Sequence, residues 1–583
     1  MTSMAQGPVS EERGSDAIGG FTPEDLELIR QRYPTADVDT RDAPTIAISS
    51  DRLLDLLTTS RYELGGGGGG CGILSDLTAV DLGHFGSPGK LRVSYLLGAG
   101  QARLRIDTEI EMSAALLPTA TGLWPAAAWC ERELHEMFGI QFSEHPRLRR
   151  LLTPDRGSPI HPLRKSCPLR GDRLQPGIQA GGEPQPAPIE TPPPGAVQLE
   201  IHTAGPVLDA ALQLHGHVDG NDISAVFFEP GFVHSGFEKL AEQRTYRQCV
   251  ALAERLNHCA PYGVGLAFAM AAESLLGIEP PLRAQYGRVI FAELARISSH
   301  LRALAGQATA AGSHMCAAAL LEQLEAVRDL FAVAEGRRSA SGRTRIGGLV
   351  EDLPSAFANE VTSTLARIGG GLKALDTHLM RNRAWRRRMD GAGVIEVAEA
   401  LAWGVSGPLL RASGLARDVR KTDPYLTYAE LDFEIPVGSS GDAVDRCRVR
   451  RDEIEQSVSI VSQACGKLPE GAFRVEDHKV SLPAPDSLAG DAESLIHHFE
   501  LLMNGHGLRP PAGAQVYAPT EAAEGELGFF LMSDGTDRPY RCHLRSPSFF
   551  HGQIVERLLT GCKLPAAESV FVSMNIIAAE MDR

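Results

Sequence analysis

The stretch from Gly171 to Val197 constrains this chain most. It carries Pro176, Pro184, Pro186, Pro188, Pro192, Pro193 and Pro194 among glycines and small polar residues. Proline removes the backbone donor that helices and central strands need, so no regular element crosses this stretch, and it reads as an extended linker. The 583 residues are thereby divided unequally. At about 150 residues per domain the length allows roughly four domains, or two to three large ones. The reading is a disordered tail over 1–20, a small domain over 21–170, the linker over 171–197 and a large domain over 198–583.

The two blocks differ in pattern. In the first, Pro23 to Ile29 opens a short helix, and Thr45–Ile48, Leu91–Leu97 and Ala102–Ile110 alternate as strands do. Six glycines, Gly65 to Gly70, interrupt it, and such a run reads as a flexible loop. In the second block, strand-like runs at Ala210–Leu214 and Ser224–Glu229 precede long helical patterns. These cover Phe237–Asn257, Tyr262–Leu276, Arg283–Ala305, His314–Ala334, Ala356–Met380 and Asp445–Gly466. From Gly513 to Arg583 the chain reads as a return to strands, as in Gly528–Met532 and Tyr540–Leu544. The fold class expected is α+β: a small α/β N-terminal domain and a large, mainly helical bundle with peripheral strands.

Composition excludes several classes. A net charge of −16 argues against a nucleic-acid-binding surface. No apolar run reaches the roughly 18 residues of a spanning helix. The polar start lacks an apolar h-region, so no secretory signal is expected. The ten cysteines contain no C-x-x-C pair. Clusters held by one chain usually need such a pair, so buried inert thiols are expected here rather than a metal centre.

Three segments carry more than generic fold chemistry. Trp129-Cys130-Glu131-Arg132-Glu133-Leu134-His135-Glu136-Met137-Phe138-Gly139 continues into His145-Pro146-Arg147 and His161-Pro162-Leu163-Arg164-Lys165. Physically this is a short amphipathic helix with a basic loop, which alone reads as a solvated arm or a docking surface. The second is His234-Ser235-Gly236-Phe237-Glu238-Lys239, with Arg283 to Leu294 beyond it. The third runs through Ser406–Gly414, Asp418–Lys421, Ile496–Phe499, Ser533–Cys542 and the ending Glu580-Met581-Asp582-Arg583. The first resembles the C subunit of respiratory complex I, the NADH:quinone oxidoreductase, over about residues 90–168. The others resemble its D subunit over 198–583. The chain thus resembles a fused C/D subunit with the proline-rich stretch as its seam.

That resemblance implies a hydrogenase large-subunit-like fold for the D part. It implies packing against the B subunit, which carries the terminal iron–sulfur cluster, with the quinone headgroup pocket between them. It places the I subunit and other peripheral-arm and membrane-arm subunits among the partners, and FMN and iron–sulfur clusters on partner chains. No cofactor is expected on this chain alone. The implied location is peripheral, on the cytoplasmic side of the bacterial inner membrane.

Nickel chemistry is testable on the residues. Two C-x-x-C pairs would supply the soft ligands; they would fall at Asn257/Ala260 and Ile577/Glu580, and none is cysteine. The family's quinone pocket is altered too. Its carbonyl-bonding His falls at Gly205, its Tyr at His258, and the Asp that partners the His near Ala310. The Arg over the cluster falls at Ser235, and the cluster-facing His near Ala340, before the turn Arg345-Ile346-Gly347-Gly348. Quinone reduction needs donors at oxygens that become charged and protons to follow the electrons. Imidazole at His258 supplies both, or it is a polar helix-end residue. His234 keeps its family position, as a structural hydrogen-bonder or a pocket member. Glu238 and Lys239, as i and i+1, do not face each other. The arginines 381, 383, 386, 387 and 388 read as a solvated helix end or a subunit contact rather than an anion site, and His497-His498 point about 100° apart, which is poor for a shared metal.

Two functions follow. In one the chain is the C/D component of a proton-translocating NADH:quinone oxidoreductase. In the other it is a scaffold or coupling subunit of a related membrane complex without quinone chemistry.

Overall fold

The computed structural model describes residues 23–39, 44–64, 72–99, 102–153, 160–169, 197–200, 212–339, 342–354, 356–503 and 505–583. The tail 1–20, the glycine run, nearly all of the proline-rich stretch, Gly205 and Ala340 lie outside them.

The first block folds around a five-stranded sheet ordered Asp37–Asp39, Thr45–Ala47, Ala102–Glu111, Lys90–Ala99, Ile73–Asp81. Thr45–Ala47 runs parallel to Ala102–Glu111, and the other neighbours are antiparallel. The edge strand Ile73–Asp81 is buried along its whole length. Its sequence does not alternate cleanly, because its polar residues are covered by the second block. The Trp129 segment forms the helix Ala127–Phe138, with Glu131, Arg132, Glu133 and Glu136 all buried. The expectation of a solvated arm is therefore corrected: each of these charges has an internal partner. Glu136 accepts from the backbone N–H of Leu151, Leu152 and Thr153 at 2.7–2.9 Å. Arg132 donates to the carbonyls of Arg149 and Arg150.

The second block is a bundle around the helix Leu282–Ala310, flanked by His314–Glu335, Ala443–Lys467 and Leu564–Met574. That central helix buries Arg288, Glu293 and Arg296, each with a counter-charge, and His300, whose ring bonds a carboxylate. Arg288 pairs with Glu273 at 2.6 Å, Glu293 with Arg296 at 3.2 Å and Arg420 at 3.0 Å, and His300 with Glu453 at 2.8 Å. Burial works against the Glu293 carboxylate, but Arg296 and Arg420 outweigh it and hold the group at about 2.

Two expectations about elements need correction. The helix expected over Phe237–Asn257 is three pieces, Phe237–Ala241, Tyr246–Ala253 and the turn Glu254–Leu256. Thr245 breaks it with a capping box: its hydroxyl accepts from Gln248 N–H, and its own N–H donates to the Gln248 side chain. The C-terminal region is strands only as far as Arg545. The antiparallel sheet Gln515–Glu521, Glu526–Ser533, Pro539–Arg545 gives way to helices Pro547–Gln553, Val555–Leu559, Leu564–Met574 and Ala578–Asp582. Ser546 and Pro547 start the first of these, the serine hydroxyl accepting from Phe549 N–H.

The two blocks share one core. A single apolar cluster runs from Leu56, Leu74 and Trp129 to Ile297, Ile460 and Phe571. Trp129 stacks on Phe228 and meets Phe549 edge-on. Beside this core, strand Pro539–Arg545 lies against strand Ile73–Asp81. Arg545 donates to the carbonyl of Ser75, His543 sits 3.0 Å from Asp76, Arg541 reaches Thr78 and the carbonyl of Ala79, and Tyr540 donates to the carbonyl of Asp81.

Candidate functional site

Of the described candidates, His258 and Arg345 lie at the turn Glu254–Leu256 and the loop after it, while His234 bonds the terminal helix, which touches that turn. His258 is exposed on that loop, just before the helix Pro261–Leu276. Its Nε2 accepts from the Arg302 guanidinium at 2.6 Å. Arginine only donates, so Nε2 carries the lone pair and the ring proton belongs on Nδ1. Cys259 also contacts the His258 ring and Arg302.

Asn257 sets the loop. Its Oδ1 accepts from the N–H of Cys259 and Ala260, closing a turn ahead of the next helix. Its Nδ2 donates to Glu580 at 2.7 Å and Glu524 at 3.2 Å. Two of the four positions at which nickel ligands would fall, Asn257 and Glu580, therefore meet inside the fold. They meet as an amide and a carboxyl, a donor set that does not suit a soft metal.

His234 and Ser235 flank the other side of the terminal helix Ala578–Asp582. His234 Nδ1 donates to the carbonyl of Asp582 at 2.6 Å, and Val233 N–H donates to its carboxylate. Ser235 is exposed. Arg345 lies in the hairpin Thr344–Arg345/Gly348–Leu349, packed against the same turn: Glu254 accepts from Gly342 N–H at 2.8 Å. Burial raises the Glu254 carboxyl, and Arg345 is among the charges that oppose the rise. The glycines of this hairpin are required. Gly348 has φ +144°, and a Cβ there would sit 2.6 Å from Arg474 Cα. Ala310 is the exception. It ends the helix that carries Arg302, eight residues and about 12 Å of axis further on.

Sequence reasoning did not find Arg302, Glu524 or Ser299, whose hydroxyl donates to Glu524 at 2.7 Å. Glu524 stands among the acidic residues of a hairpin turn, and nothing in its neighbours marks it as buried.

Residues 311–583 match the model of the respiratory-chain NADH dehydrogenase 49 Kd subunit family, and residues 46–173 that of the 30 Kd subunit family. The chain is 36% identical over 485 residues to the NADH-quinone oxidoreductase C/D subunit of Bdellovibrio bacteriovorus, covering 83% of this chain and 86% of that one. The chain belongs to the family of complex I C/D subunits. This C/D chain is also 39% identical over 387 residues to the D subunit of a Wolbachia from Brugia malayi, and 36% identical over 388 residues to the D subunit of Rickettsia bellii. Those alignments span 66% and 67% of this chain and 98% of each relative. It is thus a subunit of an oxidoreductase complex and works with other complex I subunits. None of its described helices is long and apolar enough to cross a membrane.

Glu238 of the Gly-Phe-Glu-Lys motif does not face the candidate pocket. It is buried against Arg541 at 2.6 Å and His543 at 2.8 Å, while Lys239 turns to Glu242 at 3.2 Å, so the neighbours do serve separate contacts. Glu133, Glu238 and His543 bring ligand-type atoms within 4.8 Å of one another. In this C/D chain the Arg583 guanidinium lies among them, bonded to Glu133 and 3.5 Å from Glu238, so the cluster is an ion-pair network.

Proposed function

We propose that this chain, with the complex I B subunit, forms the quinone headgroup pocket beside the terminal iron–sulfur cluster of a proton-translocating NADH:quinone oxidoreductase. The observation that carries this reading is the His258–Arg302 pair. An exposed imidazole, oriented by a guanidinium and seated on a loop held by Asn257, stands where the family's pocket residue falls. Electrons would arrive through FMN and iron–sulfur clusters on partner chains, and the I subunit and the membrane arm complete the assembly. This chain's part is to hold a hydrogen-bond donor at a quinone oxygen as charge develops there, and to keep the loop rigid through Asn257. His234, tied to Asp582, would brace the facing loop, and Arg345 would face the cluster.

The assay is NADH-driven quinone reduction by the intact complex. His258→Ala should lower turnover about 10²–10³-fold, the usual loss of one such donor. Electron transfer to an artificial acceptor upstream should stay intact. His258→Tyr should keep or raise the rate. Wild-type turnover in His258→Ala would refute the pocket assignment. The scaffold reading has its own support in Ser235 and Ala310, which offer a hydroxyl and a methyl where the family reading asks for charge. A wild-type complex that reduces no quinone would establish it.

A further inference from the structure

Two carboxyl groups are buried together under the His258 loop. Glu580 is 0% and Glu524 2% exposed. One amide nitrogen, Asn257 Nδ2, bridges them. Their other contacts are neutral. Ser299 and Asn575 donate to Glu524 at 2.7 and 3.4 Å, while Ser546 Oγ and Ser548 N–H approach Glu580 at 3.0 and 3.3 Å. Arg450 of helix Ala443–Lys467 feels the Glu524 charge, but its guanidinium donates to the carbonyls of Arg446 and Met574. Among the described residues no Lys, Arg or His forms an ion pair with either carboxylate. Asp582, on the terminal helix with Glu580, is turned to Val233 and His234.

Glu293, Glu453 and Glu238, by contrast, each have a cation on them. Two adjacent carboxylates without one cannot both stay ionised in such a medium, because desolvation and mutual repulsion act together. We propose that Glu580, buried beside the Glu524 carboxylate, is a proton-binding site, which takes up a proton near neutral pH and exchanges it when charge appears at the His258 pocket. The second half of this statement rests on the pocket reading above. The step is a proton binding to a carboxylate to give a carboxylic acid, with no electron moved. Burial and the Glu524 charge agree with it, lifting Glu580 to about 7. The mechanical link is Asn257. The side chain that bridges the carboxyls also holds the loop of His258, so protonation of the pair changes the pull on that loop.

The test is infrared spectroscopy of the purified full chain at neutral pH, without quinone. The wild type should show a carboxylic C=O band that moves on deuteration. Glu580→Gln should remove one component, and Glu524→Gln should remove or shift the same one. Burial also raises Glu131, to about 7, so its band should persist in both variants. A difference spectrum holding only ionised carboxylate bands would overturn the proposal. If Glu580→Gln does not fold, a Glu131→Gln chain is titrated instead. The absence there of any carboxylic C=O at neutral pH overturns the proposal equally. A second readout is melting temperature. An acid with a raised folded pKa loses stability as pH rises, so Glu580→Gln should gain on the wild type between about pH 5 and pH 8. The pocket reading fails separately: His258→Ala at wild-type turnover, with the band still present, removes the coupling and leaves the proton site.

Discussion

Replacing Arg541 by methionine asks how firmly the two blocks of this chain are joined. The Arg541 guanidinium donates to Glu238 at 2.6 Å, to Thr78 at 3.0 Å and to the carbonyl of Ala79 at 2.9 Å, and it is 2% exposed. Removing one partner of a buried ion pair costs about 3–5 kcal/mol. His543 and Arg583 remain on Glu238, so the lower end applies, about 3 kcal/mol. At 1.4 kcal/mol per decade this is about a hundredfold in an equilibrium constant. The assay uses a chain with a protease site placed in residues 171–197 and cut there. The wild-type halves should stay together on size exclusion, because the shared core and the contacts between strands 73–81 and 539–545 hold them without the covalent link. The cut Arg541→Met halves should dissociate at about hundredfold higher concentration, and the uncut variant should unfold at lower denaturant. Separation of the cut wild-type halves would refute the reasoning, as would an Arg541→Met chain within about 0.5 kcal/mol of wild type.

Other outcomes follow from the same geometry. Burial opposes charge on His543, but Asp76 and Glu238 on its two ring nitrogens outweigh this and raise it to about 9. Its stabilisation should be complete below about pH 6.5 and lost as pH rises through about 9; a melting profile in which His543→Gln shows the same alkaline fall as wild type would contradict this. Trp129→Ala opens a cavity among Phe228, Phe549 and Gly552 and should cost about 3–5 kcal/mol in denaturant titrations. Elemental analysis of the purified chain should find no stoichiometric nickel, since Asn257 and Glu580 stand where thiolates would be required.

Much of the architecture can be read from pattern. The helices at 262–276, 314–334 and 445–466 lie within observed helices, because their apolar residues recur at helical spacing over several turns. The fused C/D identity was carried by motifs, not by periodicity. The strand Ile73–Asp81 was illegible for a physical reason. Asp76 and Thr78 look like a solvent face until His543 and Arg541, some 460 residues away, are placed against them. The break at Thr245 was legible, since Thr-x-x-Gln is a capping-box signature that outranks apolar spacing. At the candidate site, His258 could be named from sequence, but Arg302 and Glu524 could not, because only the fold brings three distant segments to the loop at 257–260.

The side-chain contacts between strands 73–81 and 539–545 also fix an order of events during synthesis. Asp76 leaves the ribosome long before His543 exists. At about 5–20 residues per second the wait is roughly half a minute to a minute and a half. For that time the outer edge of this strand is bare, and Asp76 and Thr78 lack the partners they bury against. The first block therefore cannot complete its own surface, and a prematurely terminated chain would expose this edge permanently. Quality control of such a polypeptide has a natural checkpoint: the strand is safe only once the last tenth of the chain has been made.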